Sequence, residues 1–385
     1  MDGPLSFELL ATDKGSAARR GRMQLPHGAV ETPAFMAVGT RGAVKACTID
    51  QVYASGTPIV LGNTYHLALR PGPEVVKKAG GLHKFVGWTR NMLTDSGGFQ
   101  VWSLASLRKV TEKGVEFRSH YDGALFELSP ERSIEIQNAL GADIIMAFDE
   151  CSPWPCTKEV AAGAVARTTQ WALRSHDAHG RRDDQALFGI VQGSTFHDLR
   201  EESARALTAI PFDGYAIGGL SVGEGPLRMG ETLEKTCPFL PVDRPRYLMG
   251  VGTPQDLVLA VERGVDMFDC VMPTRNARNA QVFTWDGRSI KLRNAKFRED
   301  LRPIDEACAC YTCANGFSRS YLRHLFSVDE ITALTLATIH NLTFYQAFMG
   351  KMREAIATST FQSFAAAWRL PKESPPDGSA SAAGT

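Results

Sequence analysis

The chain has 385 residues, 44% of them hydrophobic, and its 42 basic and 42 acidic side chains leave no formal net charge. That length suits one large domain, and zero net charge excludes global attraction to a polyanion, so any nucleic-acid contact has to be local. No run of eighteen apolar residues is present to span a bilayer, and the opening MDGPLSFELLATDKGS lacks a basic stretch followed by an apolar one; a cytoplasmic protein without membrane contact is expected.

Eight short apolar runs recur, each stopping in a polar residue or glycine: AFMAVGT from Ala34, PIVLGNT from Pro58, NMLTDSGG from Asn91, IIMAFDE from Ile144, LFGIVQG from Leu187, GYAIGGL from Gly214, YLMGVGT from Tyr247 and MFDCVMP from Met267. Continuous apolar runs of this length suit strands buried on both faces. Helical patterns lie between several of them, such as HDLREESARALTAI before the sixth run and TPQDLVLAVERG before the eighth. Strands alternating with helices predict a parallel sheet, and eight such units predict a closed (β/α)8 TIM barrel of the α/β class. A doubly wound open sheet is the alternative, but no glycine-rich dinucleotide fingerprint follows the first strand.

The spacing is uneven in two places. About fifty residues separate the third and fourth runs, where VEFRSHYDGALFEL reads as a hairpin around Asp122-Gly123. After the eighth run comes an insertion at about 290–345 that holds a cysteine cluster. Residues 1–370 thus read as one barrel domain, and the Pro-, Ser-, Gly- and Ala-rich tail 371–385 as disordered.

A barrel builds its active site at the strand C-termini, which places Asp95, Asp149, Gln192, Gly219 and Asp269 at one mouth. In Thr94-Asp95-Ser96-Gly97-Gly98-Phe99-Gln100, two glycines behind the acid let the backbone approach a ligand, although a turn aspartate capping the next segment would look the same. Asp149 and Asp269 each end an apolar run, where an unpaired charge is costly; a salt bridge would explain either one alone, whereas three acids at one mouth point to a functional cluster. Two carboxylates flanking a sugar bond are the apparatus of glycosyl transfer with retention. A third, beside Gln192 and the Gly218-Gly219-Leu220 backbone, would read the donor edge of a purine such as guanine.

Cys308, Cys310 and Cys313 stand within six residues and suit a tetrahedral zinc ion. A fourth ligand is needed; His340, in the helical stretch ITALTLATIHNLTFYQ, is the best candidate and His324 its competitor. A closed site of this kind would fold the insertion and take no part in the chemistry. The other five cysteines are scattered, as reduced thiols often are. From Thr274 to Arg298, seven basic residues face one acid, Asp286, which reads either as a phosphate-binding surface or as an ordinary solvated face.

Together these residues resemble the queuine/archaeosine tRNA-ribosyltransferase family, most closely its bacterial branch. The similarity runs from PAFMAVGT at Pro33 to about Trp368, through LGNTYHL, LTDSGGFQ, LSPERSIEIQ, MAFDEC, YAIGGLSVGEG, YLMGVGTP, MFDCVMPTRNARN and the CxCxxC cluster. The resemblance implies a pentosyltransferase that exchanges guanine at the wobble position of GUN-anticodon tRNAs, with Asp269 as nucleophile on the ribose and Asp95 as general acid/base. Spacing alone does not distinguish the two acids. It further implies base contacts from Ser96, Gly97, Gly98, Asp149, Gln192, Gly219 and Leu220, with Phe99 and Met249 stacking on the two faces of the base. Some relatives carry tyrosine in place of Phe99.

Cys151 and Val222 match the bacterial pattern, which implies 7-aminomethyl-7-deazaguanine as the incoming base of queuosine synthesis, with Glu224 near its aminomethyl group. The tRNA-contacting segments would be Gly250-Val251-Gly252-Thr253-Pro254-Gln255-Asp256 and Thr274-Arg275-Asn276-Ala277-Arg278. The zinc ligands would be Cys308, Cys310, Cys313 and His340, with one structural zinc in each subunit of a homodimer. A non-catalytic RNA-binding subunit of the family and a retaining glycoside hydrolase are competing readings. Retention of both Asp95 and Asp269 argues against the first, and the zinc cluster with its basic stretch against the second.

Overall fold

A computed structural model describes residues 3–100, 108–119 and 121–369; the tail from Pro371 lies outside them. In chain order its strands are β1 (Ser6–Thr12), β2 (Arg19–Leu25), β3 (Gly28–Thr32), β4 (Ala34–Val38), β5 (Ile59–Gly62), β6 (Asn91–Thr94), β7 (Arg108–Thr111), β8 (Gly114–Arg118), β9 (Leu125–Leu128), β10 (Ile144–Met146), β11 (Ala186–Val191), β12 (Gly214–Ile217), β13 (Arg246–Leu248), β14 (Met267–Cys270), β15 (Gln281–Phe283) and β16 (Ser289–Lys291).

Strands β4, β5, β6 and β10 to β14 form one closed parallel barrel, and the pairing of β6 with β10 and of β14 with β4 completes the ring. These eight strands are the eight apolar runs of the sequence, and the closed barrel rules out the open sheet. The expected hairpin is present as β8 and β9, with β7 adding a third strand, and the expected helices are found at His197–Thr208 and Pro254–Val261.

The barrel strands alternate strictly. Met36, Leu61, Leu93, Met146, Phe188, Ile190, Ala216, Tyr247 and Met267 fill the interior, while Phe35, Val60, Met92, Ile145, Leu187, Ile217, Leu248 and Phe268 pack outward in the larger core with the helices. The N-terminal sheet of β1, β2 and β3 inserts Met23, Leu25 and Val30 into the interior cluster and plugs the end opposite the strand C-termini. The barrel is thus a packed core with a single working end. After β14, the helix Ile331–Ala357 returns along β4, its Gln346 amide donating to Phe35 O at 3.1 Å. A separate apolar cluster, including Ala277, Val282, Ile304, Leu322, Phe326 and Leu336, gathers the inserted segment around the three cysteines. Among the described residues no helix is long and apolar enough to cross a membrane.

Candidate active site and metal centre

The inward phase of the strands continues past their ends. Two residues beyond the interior Leu93, Ile190, Ala216, Tyr247 and Met267 stand Asp95, Gln192, Gly218, Met249 and Asp269, all lining one cavity of about 390 Å³ at the barrel mouth. Asp149 comes three residues after Met146 and enters the same cavity from the loop after β10. Ser96, Gly97, Phe99, Cys151, Gly219, Leu220, Val222 and Gly250 line it too.

Asp269 is held by two donors on the same oxygen. Its Oδ1 accepts from the Tyr247 hydroxyl at 2.5 Å and from the Gly250 amide at 2.8 Å, and Oδ2 accepts no hydrogen bond among the described residues. Burial raises its carboxyl above the usual range against the pull of those two donors. Asp95 takes its Oδ1 bond from the Thr64 amide at 2.9 Å and its Oδ2 bond from the Asn63 side chain. Burial, reinforced by the like charges of Asp269 and Asp149, pushes it up to about 7. Asp149 receives the Gln192 amide at 2.7 Å and the Ser96 hydroxyl at 3.1 Å, and burial raises it to about 6. Neutral donors hold all three acids, which is how a site keeps carboxyls near neutrality and ready to exchange protons.

The loop after β6 wraps closely around this network. A Cβ on Gly98 would stand 2.7 Å from Asp149 O, so only glycine fits there; Gly98 lies behind the cavity rather than on its wall. Phe99 lines the mouth and is 45% exposed. Cys151 is buried, with its thiol pushed up to about 12 by burial, and is no nucleophile. Glu224, expected near the base, is also off the wall: its carboxylate accepts from the Ser221, Val222 and Gly223 amides.

Sequence reasoning missed Asn63 and Tyr247. Asn63 also caps the next helix through His66 N, an ordinary reason for its presence, and Tyr247 sits inside a strand, where it reads as core.

With this geometry in view, the comparisons with known proteins are decisive. The family model described as queuine tRNA-ribosyltransferase matches residues 13–373. The chain belongs to the queuine tRNA-ribosyltransferase family. Proteins named queuine tRNA-ribosyltransferase are 57% identical over 358 residues in Symbiobacterium thermophilum (93% of this chain, 89% of that one) and 56% over 352 residues in Caldanaerobacter subterraneus (91% and 93%). The one from Zymomonas mobilis is 54% identical over 368 residues, 94% of each chain. Family membership makes the chain a pentosyltransferase.

The cysteine cluster is a formed site. Cys308, Cys310, Cys313 and His340 are all buried, with their ligand atoms within 4.8 Å of one another; His324 is exposed on another helix and outside the cluster. His340 Nδ1 lies 3.5 Å from Cys310 Sγ and 3.4 Å from Cys313 Sγ. Its Nε2 lies 2.7 Å from Phe283 O, a contact that needs the proton on Nε2 and leaves the Nδ1 lone pair facing the sulfurs. Three thiols and one oriented imidazole in a closed shell suit a metal ion of zinc's kind. The neighbouring Asn341 ties this centre toward the mouth: its Oδ1 accepts from Phe283 N at 3.1 Å and its amide donates to Pro273 O at 2.9 Å.

The two segments expected to meet tRNA flank the mouth, and the structure divides them. Val251, Gly252, Pro254, Thr274 and Ala277 are buried, and Thr253 and Asp256 serve a capping box that starts the helix Pro254–Val261. Gln255 is half-buried and donates to Gly287 O at 3.1 Å. Gly250 and Arg275 are exposed, and Asn276 and Arg278 half-exposed on the helix Met272–Arg278. Further along the basic stretch, Arg288 pairs with Asp286 at 3.0 Å and Arg293 with Asp329 at 3.3 Å, so part of its charge is answered within the protein.

Proposed function

We propose that the protein exchanges guanine at the wobble position of GUN-anticodon tRNAs for 7-aminomethyl-7-deazaguanine, a step of queuosine synthesis, through a covalent link between Asp269 and the ribose. The observation that carries this reading is the state of the two acids: Asp269 is anchored through one oxygen by Tyr247 and Gly250, and Asp95 shares its cavity with a carboxyl near 7.

In this mechanism Asp269 Oδ2 attacks ribose C1′ and the C1′–N9 bond breaks. The bonding electrons leave with the purine, which takes its proton from Asp95. The incoming base then returns its own N9 proton to Asp95 and displaces Asp269, so two inversions give net retention. Asp149 and Gln192 meet the donor edge of the base, and Phe99 and Met249 lie against its faces. Gly250, Arg275, Asn276 and Arg278 face the tRNA backbone, the members of the two segments that the fold leaves exposed. Glu224 would have to release loop amides to reach an aminomethyl group.

The cysteine–histidine centre would hold one structural zinc, cross-linking the insertion to the long helix and, through Asn341, steadying the segment after Asp269. Residues 1–370 would act as one domain with the metal-binding insertion at about 290–345, in the cytoplasm and as a homodimer; these readings rest on the family resemblance and on the separate apolar cluster around the cysteines.

The test is exchange of radiolabelled guanine into a GUN-anticodon tRNA, with 7-aminomethyl-7-deazaguanine as chase. Label that enters and is then displaced irreversibly supports the reading. Failure of zinc-loaded, folded protein to exchange on any such tRNA would leave RNA binding alone.

A further inference from the structure

Behind the base cavity lies an arginine that the mechanism above does not use. Arg200, in the first turns of the helix His197–Thr208, is fully buried and forms no ion pair among the described residues. A cation near a helix N-terminus, without a carboxylate and out of water, is costly three times over. Its guanidinium donates only to backbone carbonyls: Nε to Ser194 O at 2.7 Å, and Nη1 to Val191 O at 3.0 Å and Gly218 O at 2.8 Å. Nη2 has no partner. Burial pulls the group down to about 10, which leaves it charged at neutral pH.

The place where this charge is applied matters. The Gly218–Gly219 peptide is trans, so its C=O and N–H point in opposite directions. With Gly218 O turned to Arg200, the Gly219 N–H points away from Arg200, and Gly219 lines the base cavity. A Cβ on Gly219 would stand 2.4 Å from Gln192 Oε1 and 3.6 Å from Arg200 Nη2, two buried polar atoms without hydrogen-bond partners.

We propose that Arg200 is a positioning residue for purine departure: it orients and polarises the Gly218–Gly219 peptide so that the Gly219 N–H stabilises the negative charge that the purine acquires as its C1′–N9 bond breaks. The inference rests on the base-exchange reading. The bonding pair that passes to N9 spreads through the purine ring onto its carbonyl oxygen, and a polarised amide aimed at that oxygen helps more in the transition state than in the ground state. The proton still comes from Asp95.

The test compares tRNA carrying guanine with tRNA carrying 8-azaguanine at the exchanged position, whose extra ring nitrogen makes it the better leaving group. Exchange is measured with wild type, Arg200→Gln, Arg200→Met and Arg200→Lys, each checked for folding and tRNA affinity. The neutral variants are expected to lose about 10²-fold in kcat with guanine, at least tenfold less with 8-azaguanine, and nothing in KM for tRNA; Arg200→Lys should recover most of the difference. If Gln unfolds the protein, Met serves as the neutral variant, and if both do, Lys alone should show a partial loss that is larger for guanine. Equal losses for the two bases, or a rise in KM for tRNA alone, would overturn the role of Arg200. Absence of exchange by the wild type would instead overturn the base-exchange reading beneath it.

Discussion

The barrel carries aspartates at both ends, and the two ends treat them differently. Asp143, Asp213 and Asp266 each stand one residue before a strand, and each accepts a backbone N–H from the start of the preceding strand: Met92 N at 2.7 Å, Leu187 N at 2.9 Å and Arg246 N at 2.7 Å. Basic side chains complete the arrangement at two of them. Asp266 is gripped by Arg19 through two bonds, and Asp143 sits beneath the stacked rings of His27 and His83, whose nitrogens approach at 2.6 and 3.1 Å. Burial pushes Asp143 upward, but His83, His27 and the Met92 amide outweigh it and hold the carboxyl low; burial leaves Asp213 and Asp266 raised, so the ends differ first in the partners of their acids. At the mouth, Asp95, Asp149 and Asp269 are buried with neutral donors and one another, and all three are raised. The lower acids register strands, and in the proposed mechanism the upper ones are held ready to react.

The widest separation between the ends should come from removing one acid at each. Asp269→Asn is expected to lower exchange by about 10⁴-fold or more with little change in melting temperature. Asp266→Asn leaves Arg19 buried without its partner and should cost about 3–5 kcal/mol of stability while the folded fraction keeps its activity. Thermal melts beside initial rates settle both. A smaller effect is expected of Tyr247→Phe, which removes one hydrogen bond to a charged acceptor: a loss of about 10-fold to 100-fold in kcat, with KM for tRNA unchanged.

The pH dependence of stability sharpens the contrast through its sign. Asp95 has a folded value of about 7 against 3.8 unfolded, so between those values the folded state holds a proton that the unfolded state has lost. Stability therefore falls as pH rises through that window. Asp95→Asn, which lacks this loss, should gain on the wild type from pH 4 to pH 7 by about 2–4 kcal/mol. Asp143 has a lowered value, so its contribution is present above its unfolded value and is lost as pH falls. Asp143→Asn should therefore fall behind the wild type as pH rises from 3 to 5. Denaturant melts across pH test both trends, and trends of the same sign would break the comparison. The smallest effect concerns the rim: Arg275→Ala should reduce the salt slope of tRNA binding by about 1, with the exchange rate at saturation unchanged.

Much of this was legible in the residues because a barrel strand is buried on both faces and so reads as an apolar run with a polar stop. All eight barrel strands announced themselves in this way, and Asp95, Asp149, Gln192, Gly219 and Asp269 were recognisable as the residues at the stops. The parts that escaped have physical reasons. The N-terminal sheet was missed because β1 is largely exposed and β2, RRGRMQL, is charged on one side, so neither is an apolar run. Tyr247 reads as core because its ring is core; only its hydroxyl, which donates to Asp269, brings it to the site. Arg200 lies in HDLREESARALT, where a basic residue among polar ones reads as solvent-facing, and its burial arises from tertiary packing. For the two segments expected to meet tRNA, the sequence did not show which side chains the fold buries.

The most direct test of the central claim, that the mouth acids are held for covalent exchange, is intact mass spectrometry of the protein denatured during turnover with a GUN-anticodon tRNA. The expected result is a protein species heavier by the base-free tRNA, absent in Asp269→Asn, whose nuclease-digested peptide carries a ribosyl ester on Asp269. A wild-type enzyme that exchanges base with no such species at any time, or one that carries the ester on Asp95, would contradict the assignment of the two acids.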